Sequence, residues 1–144
     1  MKTQLLRTAA VFVIGLLAVS AAVAQTKGDV IVNIPFSFVV GSHQMQPGRY
    51  IVTRAESGVL RIFDAQDSKN QTLVTVHNVE RRLPDSAKLV FHRYADSYFL
   101  AQVWTGDSEI GRELPKSKAE KEIASGRING TRPKSEVAVL RPER

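Results

Sequence analysis

The sequence predicts an all-β domain: an antiparallel meander of six to seven strands that forms a small barrel or a two-layer sandwich, with one short C-terminal helix. Between residues 29 and 105, apolar and polar side chains alternate with the period of two that is typical of strands. Short runs of turn-forming residues separate the apolar stretches, which indicates hairpins between consecutive strands. An open sheet of this size would leave one apolar face in water, so we expect it to close or to fold over.

Residues 1–24 have the pattern of an export signal. Lys2 and Arg7 precede an apolar run at Ala9–Val19, and Ala22-Val23-Ala24 supplies the small residues that a signal peptidase requires. A retained membrane anchor is the alternative, but the apolar run is shorter than the ~20 residues of a membrane span. We therefore expect cleavage after Ala24, a periplasmic or secreted location, and a mature chain that does not span the membrane. The chain has no cysteine, so an apolar core must stabilise the domain without disulfides.

The first strand is predicted in DVIVNIPFSFVV, residues 29–40. One face of it carries Val30, Val32, Ile34, Phe36, Phe38 and Val40. Pro35 cannot donate a ladder hydrogen bond, so this strand lies at a sheet edge or breaks at Asn33–Pro35. Five more strands are expected in RYIVTRA (49–55), VLRIFDA (59–65), QTLVTVHNVE (71–80), AKLVFHRY (87–94) and YFLAQVW (98–104).

The positive charge of the mature chain lies in its C-terminal segment. Residues 25–110, the predicted β domain, carry nine Lys/Arg and nine Asp/Glu, whereas residues 111–144 carry nine Lys/Arg and five Asp/Glu. In this segment Ser117 and Glu120 have capping-box spacing and Gly126 is placed to end a helix, which predicts a helix at 118–125. We expect its apolar stripe, formed by Ala119, Ile123 and Ala124, to dock on the sheet. The tail that follows is predicted to be coil with one short strand at 136–140.

The stretch FHRYADSYFLAQVW, residues 91–104, is rich in aromatic side chains. If Ala95-Asp96-Ser97 is a three-residue loop, Tyr94 lies opposite Tyr98 and His92 lies opposite Leu100. Alternation then assigns one face to the core: Leu89, Phe91, Phe99, Ala101 and Val103. The other face is mixed and carries Lys88, Val90, His92, Tyr94, Tyr98, Leu100, Gln102 and Trp104. This mixed face has three interpretations: ordinary packing, cover by the C-terminal segment, or the binding of a flat or apolar ligand.

The candidate binding residues lie on this mixed face or beside it: His77, His92, Tyr94, Tyr98, Trp104 and Arg112. A tight turn at Pro84-Asp85 would make His77 and His92 cross-strand neighbours, which could begin a zinc or copper site but offers no obvious third ligand. The segment GRELPKS (111–117) is either a rigid connector or, with Trp104 and the mixed face, an anion- or carbohydrate-binding rim. The chain has no G-x-S-x-G, H-E-x-x-H, P-loop or Rossmann motif. We therefore predict no catalytic residue, no cofactor and no metal.

Two segments carry a resemblance to a known family: IPFSFVVGSHQMQPGRYIV, and LVFHRYADSYFLAQVW with the later GRELPKSKAEKEIA. They resemble an uncharacterised family of small exported all-β proteins that is abundant in acidobacteria. The resemblance covers nearly all of the chain after residue 24. It implies export and an all-β fold, and it brings no activity, cofactor or catalytic residue.

Three functions remain open from the sequence. The first is a non-enzymatic envelope domain that binds another protein or an envelope polymer, with self-association through the strand at 136–140 as a variant. The second is a carrier that holds a small apolar ligand inside a barrel. The third is a hydrolase or metal enzyme built on His77 and His92. We rank them in that order, and we expect no nucleic-acid partner because the chain is exported.

Overall fold

The computed structural model describes residues 28–80, 86–126 and 135–142. The predicted export signal at 1–24 lies outside these ranges, and so do residues 83–85 of the predicted turn before the aromatic hairpin. The described residues form one helix, α1 (Lys118–Ala124), and eleven strands. The strands are β1 (Val30–Ile34), β2 (Phe38–Val40), β3 (His43–Met45), β4 (Gly48–Glu56), β5 (Val59–Asp64), β6 (Gln71–Thr75), β7 (His77–Glu80), β8 (Lys88–Tyr94), β9 (Ser97–Trp104), β10 (Ile110–Glu113) and β11 (Ser135–Leu140).

The strands form two sheets. The first has the order β1-β4-β5-β6 and is antiparallel throughout. The second has the order β11-β8-β9-β10-β7, and β2 joins it by a short parallel contact with β9 while carrying β3 on its other side. Within the described residues the two sheets stay separate, so the chain is a two-layer sandwich and not a small barrel. The predicted all-β class is therefore confirmed.

The core lies between the two sheets. Its largest fully buried side chains come from both layers: Phe38, Phe91, Ile34, Ile62, Leu89, Val30, Val32, Val40, Val52 and Val103. The ring of Phe38 meets the rings of Tyr50 and Phe91 edge to face, at centroid distances of 5.1 Å and 5.7 Å. Edge-to-face contact is the favoured geometry for aromatic pairs, and it adds to the stabilisation from apolar burial.

Two of the predicted strands are divided, each for a structural reason. The first ends at Ile34 and resumes at Phe38, because Pro35 interrupts the hydrogen-bond ladder as expected. The second, predicted at 71–80, is divided at Val76 into β6 of the first sheet and β7 of the second. Val76 is buried and donates a backbone hydrogen bond of 2.8 Å to the carbonyl of Gly58. This residue therefore marks the point where the chain passes from one layer of the sandwich to the other.

The aromatic hairpin has a different register from the predicted one. Its loop has two residues, Ala95 and Asp96, because Tyr94 pairs with Ser97. A bulge between Val90 and Phe91 then restores the expected pairing of Val90 with Gln102. Between the loop and the bulge, the β9 side chains lie on the face opposite to the predicted one, because a one-residue shift turns each side chain to the other side of the sheet.

This exchange changes the assignment of several side chains. Leu100 lies opposite Phe91 and belongs to the core, whereas Phe99 lies opposite His92 on the outer face of the second sheet. Tyr98 lies opposite Arg93, so the predicted pairing of Tyr94 with Tyr98 is wrong. Leu89, Phe91 and Val103 are core residues, as predicted.

Helix α1 begins and ends where the sequence predicts. The Ser117 hydroxyl accepts a hydrogen bond of 3.1 Å from the Glu120 backbone N–H, and Gly126 follows the helix with a φ of 72°. Glu120 is the buried residue of the helix. Of the predicted apolar stripe, Ile123 and Ala124 are partly buried and Ala119 is exposed. No helix in the described ranges has the length and apolar character that a bilayer span requires.

Candidate functional site

The six predicted candidate residues lie in five separate places in the fold. His92 and Tyr94 lie on the outer face of the second sheet, beneath helix α1. The Glu120 carboxylate accepts a hydrogen bond of 3.1 Å from the Tyr94 hydroxyl, and its Oε1 atom lies 2.6 Å from His92 Nδ1. The Tyr94 ring also packs against Phe99, edge to face, at 5.9 Å. Of the three interpretations of the mixed face, cover by the C-terminal segment therefore describes the end that carries His92 and Tyr94.

Tyr98 lies on the opposite side of the sheet from these residues. Its ring stacks on Phe36 at a centroid distance of 3.9 Å, and the guanidinium of Arg93 lies 5.5 Å from its ring centre. Phe36 in turn meets Phe91 of the core at 5.3 Å. Tyr98 thus closes one margin of the core and does not extend the mixed face.

His77 is not a neighbour of His92. It is exposed on β7 and pairs with Glu113 of β10, and strands β10 and β9 separate β7 from β8. The ranges that the structure describes contain no group of three His, Cys, Asp or Glu side chains able to hold a metal. The arrangement on which the metal-enzyme hypothesis depended is therefore not formed.

Trp104 is buried, with 5% of its surface exposed. Its indole N–H donates a hydrogen bond of 3.2 Å to Gln102, and the Lys88 ammonium lies 6.0 Å from the ring centre. The ring covers Gly111 so closely that a Cβ atom built there would lie 2.7 Å from ring carbons. Trp104 is therefore a packing residue and offers no face to a ligand.

Arg112 lies on the other side of the second sheet from Trp104. It pairs with Val103, a core residue, so its side chain points towards the first sheet at the open end of the sandwich. The predicted rim of Arg112 and Trp104 on one face is therefore not formed. In its place, Arg112 lines a cleft of about 390 Å³ together with Arg54 of β4.

Three segments build this cleft, which we call the arginine cleft. The turn before β1 contributes Gly28 and Asp29, strands β4 and β5 contribute Thr53, Arg54 and Leu60, and the β9–β10 segment contributes Thr105, Asp107, Ser108, Ile110 and Arg112. These segments are distant in sequence, and the fold brings them together at one end of the sandwich. Arg54 was not among the predicted candidates. The sequence feature that could have identified Arg54 is its place in the alternation of Tyr50, Val52 and Arg54, where a third apolar residue is expected.

The two guanidinium groups of the arginine cleft make few direct contacts within the described ranges. Arg112 donates one long hydrogen bond, of 3.3 Å, to the Gly111 carbonyl, and within the described ranges Arg54 makes no hydrogen bond or ion pair. Desolvation by burial lowers the pKa of Arg112, and repulsion from Arg54 lowers it further. Both observations describe two like charges held near each other.

The other polar groups of the cleft are oriented by local hydrogen bonds. The Thr105 hydroxyl donates to the Asp107 carboxylate, and the Ile110 backbone N–H donates to the Ser108 hydroxyl oxygen at 3.0 Å. The Ser108 O–H is therefore left to donate, since a hydroxyl carries one donor besides its acceptor sites. The arginine cleft thus combines the Ser108 hydroxyl as a donor, the Asp107 carboxylate as an acceptor and two guanidinium groups. These groups are suited to binding a polar ligand.

Comparison of the chain with protein-family models, with curated proteins and with solved structures finds no match in any of the three. The resemblance to a family of exported proteins therefore stays an expectation. Any functional assignment depends on the geometry of the site.

Proposed function

We propose that this chain is an exported, non-enzymatic β-sandwich domain that binds an anionic component of the cell envelope in the arginine cleft. The observation that carries the proposal is the placement of Arg54 and Arg112 at one cleft of about 390 Å³ between the ends of the two sheets. A cleft of this volume is within the range of small-molecule sites.

The chemistry of the two arginines supports an anionic ligand. A guanidinium presents a planar fork of donors that matches the oxygen pairs of carboxylate and phosphate groups. An anion placed between two such forks is attracted by both guanidinium groups.

The location and the charge distribution favour an envelope component. The pattern at residues 1–24 is that of an export signal. The excess of nine Lys/Arg over five Asp/Glu in residues 111–144 would attract an anionic polymer or an acidic protein surface and raise its local concentration.

The direct test is an NMR titration of residues 25–144 with sodium acetate and sodium sulfate at constant ionic strength. We expect the amide signals of Thr53, Arg54 and Arg112 to shift in a saturable way. Arg54→Gln combined with Arg112→Gln should abolish the shifts, and Arg49→Gln, an exposed arginine of β4 outside the cleft, should leave them unchanged. Shifts that are spread over the surface, or that persist in the double variant, would contradict the proposal.

Self-association through the C-terminal strand stays a proposal. In the described ranges β11 pairs on one side with β8 and ends the order of the second sheet, so its other edge is available for an added strand. Analytical ultracentrifugation at rising protein concentration tests it. A purely monomeric distribution at the highest concentration would exclude it.

A second candidate function is a carrier of an apolar ligand. The feature that favours it is a groove of about 550 Å³ outside the core, lined by Val39, Val74, Pro115 and Ala119 among others. The space between the sheets, where the sequence placed the ligand, is occupied by core side chains such as Phe38 and Phe91. An apolar dye that gains fluorescence on binding, and loses it in Val74→Asp, would support this candidate.

A further inference from the structure

We propose that the arginine cleft takes an acidic saccharide, a hexuronate unit of a polymer, and not a bare inorganic or carboxylate anion. This inference rests on the proposed function, because it names the class of ligand for the same cleft. The juxtaposition that carries it is the pair Arg54 and Arg112 beside the two carboxylates Asp29 and Asp107 in one lining.

The charges of the lining distinguish the two kinds of ligand. Two guanidinium groups and two carboxylates give the cleft no formal net charge. A bare anion gains the attraction of the arginines but also meets the repulsion of Asp29 and Asp107. A hexuronate carries one carboxylate and several hydroxyl groups, so it can place its anionic end at the arginines and its hydroxyl donors at the carboxylates.

The hydrogen-bond groups at the rim match such a ligand. Asp107 is exposed and held by the Thr105 hydroxyl, so its remaining lone pairs are directed and free to accept from sugar hydroxyls. Ser108 accepts from the Ile110 N–H and retains its own proton for a sugar oxygen. Ile110, which is 38% exposed, supplies apolar surface against which the C–H groups of a pyranose ring can pack. The cleft therefore offers donors, acceptors and apolar surface to a polyhydroxylated ring.

The carboxylate of Asp107 also lies close to the start of β1. A Cβ atom built on Gly28 would lie 3.9 Å from Asp107 Oδ2, which is ordinary van der Waals contact. The acidic side of the cleft is therefore built jointly by the turn before β1 and the β9–β10 segment. The cationic side is built by β4 and β10. A ligand that bridges the two sides contacts both sheets of the sandwich.

The experiment compares three ligands of matched parts: D-glucuronate, which has both the ring and the carboxylate, D-glucose, which lacks the carboxylate, and acetate, which lacks the ring. Dissociation constants are measured by NMR titration for the wild-type chain 25–144 and for Asp107→Asn. We expect glucuronate to bind about tenfold more tightly than either part, since one additional hydrogen bond to a charged group corresponds to roughly that factor. Asp107→Asn should weaken glucuronate about fivefold and should strengthen acetate, because it removes repulsion.

A second arm tests the polymeric source. A tetrameric uronate should bind more tightly than the monomer, because the basic residues of the C-terminal segment add attraction for further carboxylates. Equal affinities for monomer and tetramer would overturn the assignment to a polymer. Asp96→Asn, an exposed aspartate in the loop of the β8–β9 hairpin, is the matched control and should change no affinity.

The outcomes separate this inference from the proposed function. If acetate binds as tightly as glucuronate, and Asp107→Asn changes neither, the cleft is a plain anion site: the proposed function stands and the saccharide assignment is overturned. If neither acetate nor glucuronate shifts the cleft signals, both are overturned. If glucuronate binds more tightly than acetate, and Asp107→Asn weakens glucuronate while strengthening acetate, the proposed function and the saccharide assignment are both supported.

Discussion

Glu120 of helix α1 and His92 of strand β8 lie with carboxylate and imidazole atoms 2.6 Å apart, and the same carboxylate accepts from the Tyr94 hydroxyl. The Glu120 side chain is 4% exposed and that of His92 is 26% exposed, so the contact closes most of this end of the sheet to water. A buried carboxylate is tolerated when its partners satisfy it, and the partners here lie on the sheet. One carboxylate therefore joins the helix to the sheet, beside an apolar stripe that is only partly buried.

We expect Glu120→Ala to lower the free energy of unfolding by about 1–3 kcal/mol, because it removes the buried carboxylate that contacts His92 and leaves Tyr94 without its acceptor. Urea denaturation followed by circular dichroism measures the change. Glu122→Ala on the same helix is the matched control and should stay within about 0.5 kcal/mol of wild type. Equal losses for the two variants would show that the contacts of Glu120 with His92 and Tyr94 do not stabilise the fold specifically.

Gly111→Ala tests the contact under the tryptophan. The new Cβ atom would lie 2.7 Å from ring carbons of Trp104, which is shorter than side chains tolerate, so the buried ring must move. We expect a loss of about 1–3 kcal/mol and a shift in the emission of Trp104, which is the single tryptophan of the chain. Gly48→Ala is the control, since its Cβ would lie 3.3 Å from the Asp64 carboxylate and 3.6 Å from the Tyr50 ring, both longer than the contact at Gly111. An unchanged emission spectrum in Gly111→Ala would contradict the tight packing.

The repulsion in the arginine cleft predicts a response to salt. In the absence of ligand, Arg54→Gln should raise the thermal midpoint, because it removes the charge that opposes Arg112. Raising sodium chloride from about 20 mM to about 500 mM should stabilise the wild-type chain more than Arg54→Gln, since salt screens a repulsion that the variant lacks. Differential scanning calorimetry at both salt concentrations compares the two. The idea fails if the variant and the wild type respond to salt alike.

Tyr50 predicts a loss of stability in alkaline solution. Burial, with a smaller contribution from the Asp64 charge, raises the pKa of the Tyr50 hydroxyl. The unfolded chain therefore releases this proton before the folded chain does. The associated stability is fully present below about pH 10, the ordinary tyrosine value, and is lost as the pH rises through the higher folded value.

The measurement for this prediction is the free energy of unfolding of wild type and Tyr50→Phe at a series of pH values above about 9. We expect the wild-type value to fall more steeply with pH than the value for Tyr50→Phe. At neutral pH the variant should lose about 1 kcal/mol, because the 2.8 Å hydrogen bond to Gln46 is removed. Parallel pH profiles of wild type and Tyr50→Phe would show that Tyr50 has the same pKa in the folded and the unfolded chain.

The elements that depend on near neighbours in the chain were predictable. The alternation of Val30, Val32 and Ile34 predicted a buried strand face, and Pro35 predicted its interruption. Ser117 and Gly126 predicted the ends of the helix within one residue. In each case the physical cause acts over a few residues: side chains alternate along a strand, proline lacks a donor, and a cap satisfies the N–H groups of one turn.

The candidate site was predictable only in part. Arg112 was identified, but its expected partner was Trp104 of the neighbouring strand β9. Trp104 is buried and lies on the other side of the sheet. The partner that the fold supplies, Arg54, belongs to the other sheet. His77 and His92 illustrate the same limit, because two strands separate them once β7 pairs with β10.

The sequence by itself determined the all-β class, the alternating core faces, the break at Pro35 and the capped helix, because each follows from interactions between residues close in the chain. Tertiary structure decided which face Phe99 and Leu100 occupy, which side chain Glu120 meets, and which arginines share a cleft. These outcomes depend on a one-residue register and on how two sheets are layered, and neither is encoded in any local pattern. A single bulge or strand crossover changes them while the local periodicity stays the same.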